Sequence, residues 1–346
     1  VQRQPVLNAA ALETLVSAAI MAPSIHNTQP WRFRLAPHIR TIEVRAAPER
    51  ALPLADPDGR ALHLSVGAAV FNLRVAAAHL GWEPMVRLLP RPGEPGLLAT
   101  VRLVGPAYTA PPPRPDLYKA IWQRHSSRLP FTGEPVSEAV LEKLVAAARA
   151  DGAELRLPGK VESSRLLSLT ADAELRATGD SARLAETRSW LRDSDEGPFG
   201  LPYTALGPRD AEARVPMRDF TGLDLRHWQP SAQFEEHPRL LLLSTRDDRP
   251  ADWLSAGQAL QHVLLVLTLH GLRASMMYQA LEWSDLRWLL RDPSSSGCCE
   301  PQMLLRIGYG PEGAATPRRP VEDALAAPDV VAPAGRSPDR AAALER

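Results

Sequence analysis

The chain has 346 residues, enough for one large domain or two ordinary ones, and 45% of them are apolar, as in a globular core. Its 40 basic and 40 acidic residues cancel, so it lacks the global field of a nucleic-acid or anionic-membrane binder. No apolar run reaches the ~18 residues that a bilayer requires, and the opening residues show no signal-peptide pattern. No membrane, no nucleic-acid partner and a cytoplasmic location are therefore expected.

Taken in chain order, Leu12 to Ala19 reads as a helix, which the loop Ala22-Pro23-Ser24-Ile25-His26-Asn27-Thr28-Gln29-Pro30-Trp31 ends. In that loop Pro23 and Ser24 stop the helix, Ser24 and Asn27 offer short hydrogen-bonding side chains, and Gln29-Pro30 sets an extended approach to Trp31. Strands follow at Trp31 to Leu35 and Thr41 to Arg45, then a helix from Ser65 to Gly81 whose Val66, Val70, Leu73, Ala77 and Leu80 share a face. A strand is expected at Leu97 to Val104, a basic turn at Arg124-His125-Ser126-Ser127-Arg128, a helix at Leu141 to Ala148 and a strand at Ala153 to Leu157. Arg188 to Pro230 is rich in Gly and Pro with little periodicity. A loop so long is a functional cover or disordered, and its Phe199, Leu201, Tyr203 and Met217 argue for packing onto something. Leu240 to Ser244 and Met303 to Ile307 are short apolar runs suited to central strands. The helix between them, from Ser255 to Gly271, is apolar nearly all round and so expected to be buried. Residues 331–346 read as a disordered tail.

Two of these helices echo each other. Ser65, Gly67 and Gly81 recur as Ser255, Gly257 and Gly271 at a constant offset of 190, and Leu12 to Ala19 resembles Leu141 to Ala148. The expectation is an α+β protein of two fused half-copies, 1–115 and 116–330, each a mixed sheet flanked by helices, with a lid at about 188–230 in the second.

Several chemistries find no support. The nine histidines and two cysteines show no metal-ligand spacing. Adjacent Cys298 and Cys299 have Cα atoms about 3.8 Å apart, short of usual disulfide geometry, so reduced thiols are expected. Without a G-x-S-x-G elbow, nothing supports hydrolysis by Ser24 and His26, and His26 reads as a loop residue rather than an acid/base catalyst. Gly308-Tyr309-Gly310-Pro311-Glu312-Gly313 has dinucleotide-fingerprint spacing, but Pro311 and Pro317 oppose the helix that must follow, so it reads as a decoy.

Arg124 and Arg128, four residues apart with a hydroxyl at Ser126 between, suit a phosphate and a polar chain, though taken alone they also suit a solvated turn. Arg318-Arg319-Pro320 after the last strand is similarly ambiguous. Together with Pro23 to Trp31 these elements resemble the nitroreductase-like superfamily, and in particular the Acg family of NAD(P)H nitroreductases, which are fused pseudo-dimers. That resemblance extends from about Ala11 to Leu325. It also includes Ala55 to Arg60, Arg128 to Phe131, Gly200 to Pro208, Arg218-Asp219-Phe220 and Thr316 to Pro320.

The resemblance implies an FMN held by Pro23, Ser24, Ile25, Asn27 and Gln29 on one side and by Arg124, His125, Ser126 and Arg128 on the other. Either Arg318 or Arg319 would grip the phosphate, and the backbone near Met276 and Met277 would pass the reactive edge. Each half keeps one of the two main elements, so it implies a monomer imitating a dimer with one flavin, and no catalytic side chain beyond the cofactor. NADPH or NADH would reduce the FMN, and a nitro or quinone-like small-molecule acceptor would take the electrons. An FMN-storage protein with a closed lid, or a biosynthetic flavin dehydrogenase or oxidase, are the alternatives.

Overall fold

The computed structural model describes residues 6–105, 115–193, 197–221, 229–291 and 299–326. The expected tail at 331–346, Gly222 of the lid segment and Cys298 lie outside them. Two four-stranded sheets carry the fold. The first is built from β1 (Trp31–Ala36), β2 (Thr41–Ala46), β3 (Glu83–Leu88) and β4 (Leu97–Val104), in the order β1-β2-β4-β3. The second is built from β5 (Glu154–Arg156), β10 (Arg239–Thr245), β11 (Arg273–Met277) and β12 (Glu300–Gly308), in the order β5-β10-β12-β11.

The α+β class therefore stands, but the sheets are not mixed: every pairing within the two is antiparallel. The alternation of strand, helix and strand that suggests parallel pairing is real. Helix α2 (Arg60–His79) carries the chain from β2 to β3, and β4 then inserts antiparallel between those two strands. Helix α7 (Pro250–Leu269) does the same between β10 and β11, with β12 inserting. The two sheets share one topology, each preceded by a helix: α1 (Ala9–Ile20) before β1 and α4 (Glu138–Ala150) before β5.

They differ in one connection. β1 and β2 are joined by a short turn, whereas between β5 and β10 lie α5 (Lys160–Gly179), α6 (Ser181–Ser189) and the Gly/Pro-rich segment. Among its described residues that segment holds only two-residue strands: β6 (Leu191–Arg192) pairs with β7 (Leu201–Pro202), and β8 (Arg209–Asp210) with β9 (Ser231–Ala232). Neither α5 nor α6 was expected from the sequence. α5 buries only Leu166, Thr170 and Ala173, a stripe too narrow to show as a periodic pattern.

Both central helices begin earlier than the apolar pattern suggests. Asp56 accepts from the backbone amides of Ala61 and Leu62 at 2.9 and 2.8 Å, which starts α2 at Arg60; Pro250 at the first turn starts α7. By length and apolar composition α2 is the one described helix that matches a membrane span. With 72% of that window buried inside the protein, it is a core helix.

α2 and α7 cross in the centre of the molecule. A Cβ on Gly67 would stand 2.2 Å from the Leu254 carbonyl oxygen, and one on Gly257 would stand 2.1 Å from that of Leu64. The 190-residue offset exchanges these two contacts. It also exchanges the buried Gln261–Asn72 hydrogen bond at 2.7 Å with the Phe71–His262 stack at 4.7 Å. Such reciprocal pairing is the signature of an isologous interface, here within one chain.

Because both carbonyls belong to helix backbone, neither can step aside. Gly257→Ala and Gly67→Ala are each expected to cost about 1–3 kcal/mol by overpacking, read as a lowered urea midpoint. Gly93→Ala, which has open space at its Cβ, should leave that midpoint in place. Unchanged midpoints in the crossing variants would contradict the close approach.

Candidate functional site

The loop after α1 turns through three left-handed non-glycine residues: His26, Asn27 and Gln29, with φ of 48°, 54° and 50°. Such backbone persists only where its surroundings determine it. Here Ser24 Oγ accepts from the Gln29 amide at 3.0 Å. Asn27 Nδ2 donates to the carbonyls of Gly200 and Pro317 at 2.9 and 3.0 Å, and Gln29 Nε2 donates to that of Pro198 at 2.8 Å. The loop is thus tied both to the inserted segment and to the chain after β12.

Helix α3 (Pro115–Gln123) delivers the Arg124 to Arg128 turn to β11, the edge strand of the second sheet. Ser126 bridges to Ala274, and the Ser127 amide donates to the Ala274 carbonyl at 2.9 Å. The glycines of the fingerprint-like string explain themselves here by close packing. A Cβ on Gly313 would meet Ser126 O at 2.1 Å, and those on Gly308 and Gly310 would press on Phe131. No helix follows until a four-residue one at Val321–Ala324, so the string has no dinucleotide geometry.

The loop and the turn enclose a cavity in two adjoining parts, which share Pro23, Ser24, Arg128 and Met276. The polar part is lined also by Asn27, Arg124, His125, Ser126, Thr316 and Arg318. The apolar part runs from Ile25 and His26 past Leu64, Ser65 and Leu260 to Met277, Tyr278 and Gln279. Its roof is Pro216, Met217, Arg218 and Phe220 from the inserted segment.

The polar part concentrates cations without acids. Arg124 is 4% exposed, and its Nε and Nη1 have no partner; only Nη2 reaches the Met21 carbonyl, at 3.4 Å. Arg318 Nη1 donates to Thr316 Oγ1 at 2.7 Å and Asn27 Oδ1 at 3.1 Å, while its buried Nε is unpartnered. Burial, reinforced by the neighbouring Arg124, lowers Arg318 to about 9. Burial alone lowers Arg124 to about 10, and burial with Arg218 nearby takes Arg128 to about 10. Buried charges are normally paired, so this group is built for an anion that brings the missing charge and acceptors.

Most residues singled out from the sequence meet at this cavity: Pro23, Ser24, Ile25, Asn27, Arg124, His125, Ser126, Arg128, Met276, Met277 and Arg318 line it, as do Leu201 and Met217. Four do not. Gln29 is a clamp, accepting at Oε1 from the Arg319 amide at 3.0 Å. Arg319 turns away and donates to the carbonyls of Trp31, Asp323 and Gln29, holding β1 to the C-terminal segment. Phe199 packs edge-on against Trp190, flanked by Arg50 and Arg192. Tyr203 joins a small cluster of Leu191, Leu201, Leu206 and Phe220. Their motif position carried no information on direction, which tertiary packing decides.

The contacts that fix the roof in place are not visible in the motifs. Arg218 forms an ion pair with Glu282, whose own carboxyl burial pushes upward against the pull of Arg218. Gln279 Nε2 donates to the Pro216 carbonyl at 3.0 Å, and Arg128 Nη1 to that of Ala205 at 2.9 Å. The inserted segment is therefore latched over the cavity from both of its parts.

A family model described as the nitroreductase family matches residues 121–309. A Mycobacterium tuberculosis protein named "Putative NAD(P)H nitroreductase Rv3131" is 32% identical over 332 residues, 93% of each chain. Another from that organism, named "Putative NAD(P)H nitroreductase acg", is 30% identical over 321 residues, 90% of this chain and 94% of the relative. Among solved structures, a nitroreductase with bound FMN from Bacteroides fragilis is similar at a TM-score of 0.36 and 12% identity, covering 59% of this chain and 92% of that one. A BluB-like flavoprotein from Clostridium difficile is similar at 0.39 and 14%, covering 60% and 96%. With a family model spanning more than half its length and relatives at 30% identity or above along nearly all of it, the chain belongs to the nitroreductase family.

Proposed function

We propose that the chain binds one FMN across the two-part cavity and acts as an NAD(P)H-dependent oxidoreductase on a small acceptor such as a nitro compound or quinone. The observation that carries this reading is that buried Arg124 and half-buried Arg318 each keep buried guanidinium nitrogens without a partner among the described residues, beside Arg128, a set that suits a phosphate and opens onto a mainly apolar space. Arg124 and Arg318 would hold the phosphate, with Ser126 and Asn27 along the polar chain. Pro23, Ile25, Leu64 and Met277 would confine the ring. The NAD(P)H in the relatives' names supports the choice of reductant.

When bound, the flavin supplies hydride acceptance and delivery, and the chain positions reactants and excludes water. No acid/base side chain is required for that. Tyr278 is held protonated by its burial, and burial, with Arg218 and Arg128 nearby, keeps His26 neutral. We further read the chain as a fused pseudo-dimer working as a monomer in the cytoplasm. The reciprocal α2–α7 contacts support the first point.

The latches over the cavity favour a second reading, in which the lid stays shut and the protein stores FMN. Adding NADPH anaerobically to the FMN-loaded protein separates the two: bleaching of the yellow absorbance within seconds supports turnover, and colour that persists supports storage.

Arg124→Ala combined with Arg318→Ala should weaken FMN binding at least roughly a hundredfold, since each charged hydrogen bond contributes about 1.5–3 kcal/mol, with circular dichroism unchanged. Arg319→Ala should instead lower the melting temperature while FMN affinity changes less. Undiminished FMN content in the double variant, as isolated, would refute the assignment.

A further inference from the structure

The apolar part of the cavity has one polar corner, and its members come from separate elements. His26, on the loop after α1, is 7% exposed, lines the cavity, and has an Nε2 without a partner. Its ring meets Phe220 of the roof edge-on, with centroids 5.7 Å apart, and the Arg128 guanidinium lies 5.3 Å from the same Phe220 ring. Arg218, the roof residue two before Phe220, completes the corner and is anchored from behind by Glu282.

Among the described residues, no carboxylate lines this part of the cavity, whereas two guanidiniums do, and of those two Arg218 alone has an ion-pair partner. Burial first, then the proximity of Arg218 and Arg128, lowers the His26 pKa well below its ordinary value, so the imidazole is neutral and has one N–H to offer. A buried, unsatisfied ring nitrogen beside a net positive charge is complementary to an oxygen that carries negative charge. The phosphate of a flavin does not answer this need, because Arg124 and Arg318 lie in the other part of the cavity.

We propose that His26 and Arg218 form an oxyanion corner that selects an aromatic acceptor carrying a carboxylate or a similarly anionic oxygen group. The inference rests on the flavin reading and deepens it: the corner names the class of acceptor that the same cavity takes. His26 and Arg218 act here as specificity residues, and no proton or electron passes through them. The left-handed backbone at residue 26 fits the role, since the ties of Asn27 and Gln29 hold the ring against the roof.

Benzoate and benzamide have nearly the same shape and differ in charge, so calorimetric titration of the FMN-loaded protein with each reads the corner directly. Benzoate should bind about tenfold more tightly than benzamide, the effect of one hydrogen bond to a charged group. In His26→Asn, which keeps a residue tolerant of left-handed backbone, the ratio should fall toward one, and Arg218→Lys should retain part of it. Equal binding of the two ligands by the unsubstituted protein, or an unchanged ratio in His26→Asn, would overturn the proposal. Flavin content measured on the same samples separates the failures. Protein that never holds FMN sinks both readings, while FMN-replete protein that does not discriminate sinks this one alone.

Discussion

At the crossing of α2 and α7 two helix backbones lie in contact, and the glycines at 67 and 257 are what permit it. The rest of the architecture is arranged around that contact. Each helix links the two strands that flank the last strand of its own sheet, so the crossing fixes how one sheet sits relative to the other. The N-terminal turns of α2 end near the crossing, and Ala61, Leu64 and Ser65 form a wall of the cavity, with Leu260 of α7 beside them. A change of a few tenths of an ångström in helix approach would therefore reach the site as a change in cavity width.

The symmetry of the crossing does not extend to the chemistry. The loop with the strained His26, Asn27 and Gln29 follows α1, whereas the equivalent position after α4 is a tight turn at Asp151 and Gly152 leading into β5. Asp151 there is bound to Arg74 and His262 and has become part of the helix interface. The insertion between β5 and β10, absent between β1 and β2, roofs a cavity that both halves line. The fused pseudo-dimer proposed above, with its two halves specialised differently, accounts for these differences in a single scheme.

Much of this was legible in the residues. Six strands fall where alternation or short apolar runs place them, and the loop Pro23 to Trp31 and the turn Arg124 to Arg128 do meet at one cavity. What was not legible depends on direction and on partners distant in sequence. Arg318 and Arg319 are neighbours with the same chemistry, yet one faces the cavity and the other grips the Trp31 carbonyl. Strands β3 and β11 are edge strands with Pro, Arg and Met in place of β-branched runs, and their pairing with β4 and β12 supplies what local propensity lacks. His26 gives no sign in sequence of being unpaired, because the groups that bury it come from residues 128, 218 and 220.

The central claim is that two half-copies build one flavin site within a single chain. Native mass spectrometry of the protein saturated with FMN tests it most directly. A monomer carrying one FMN is the predicted species. Two flavins on each chain, or flavin retained only by a dimer, would contradict the account.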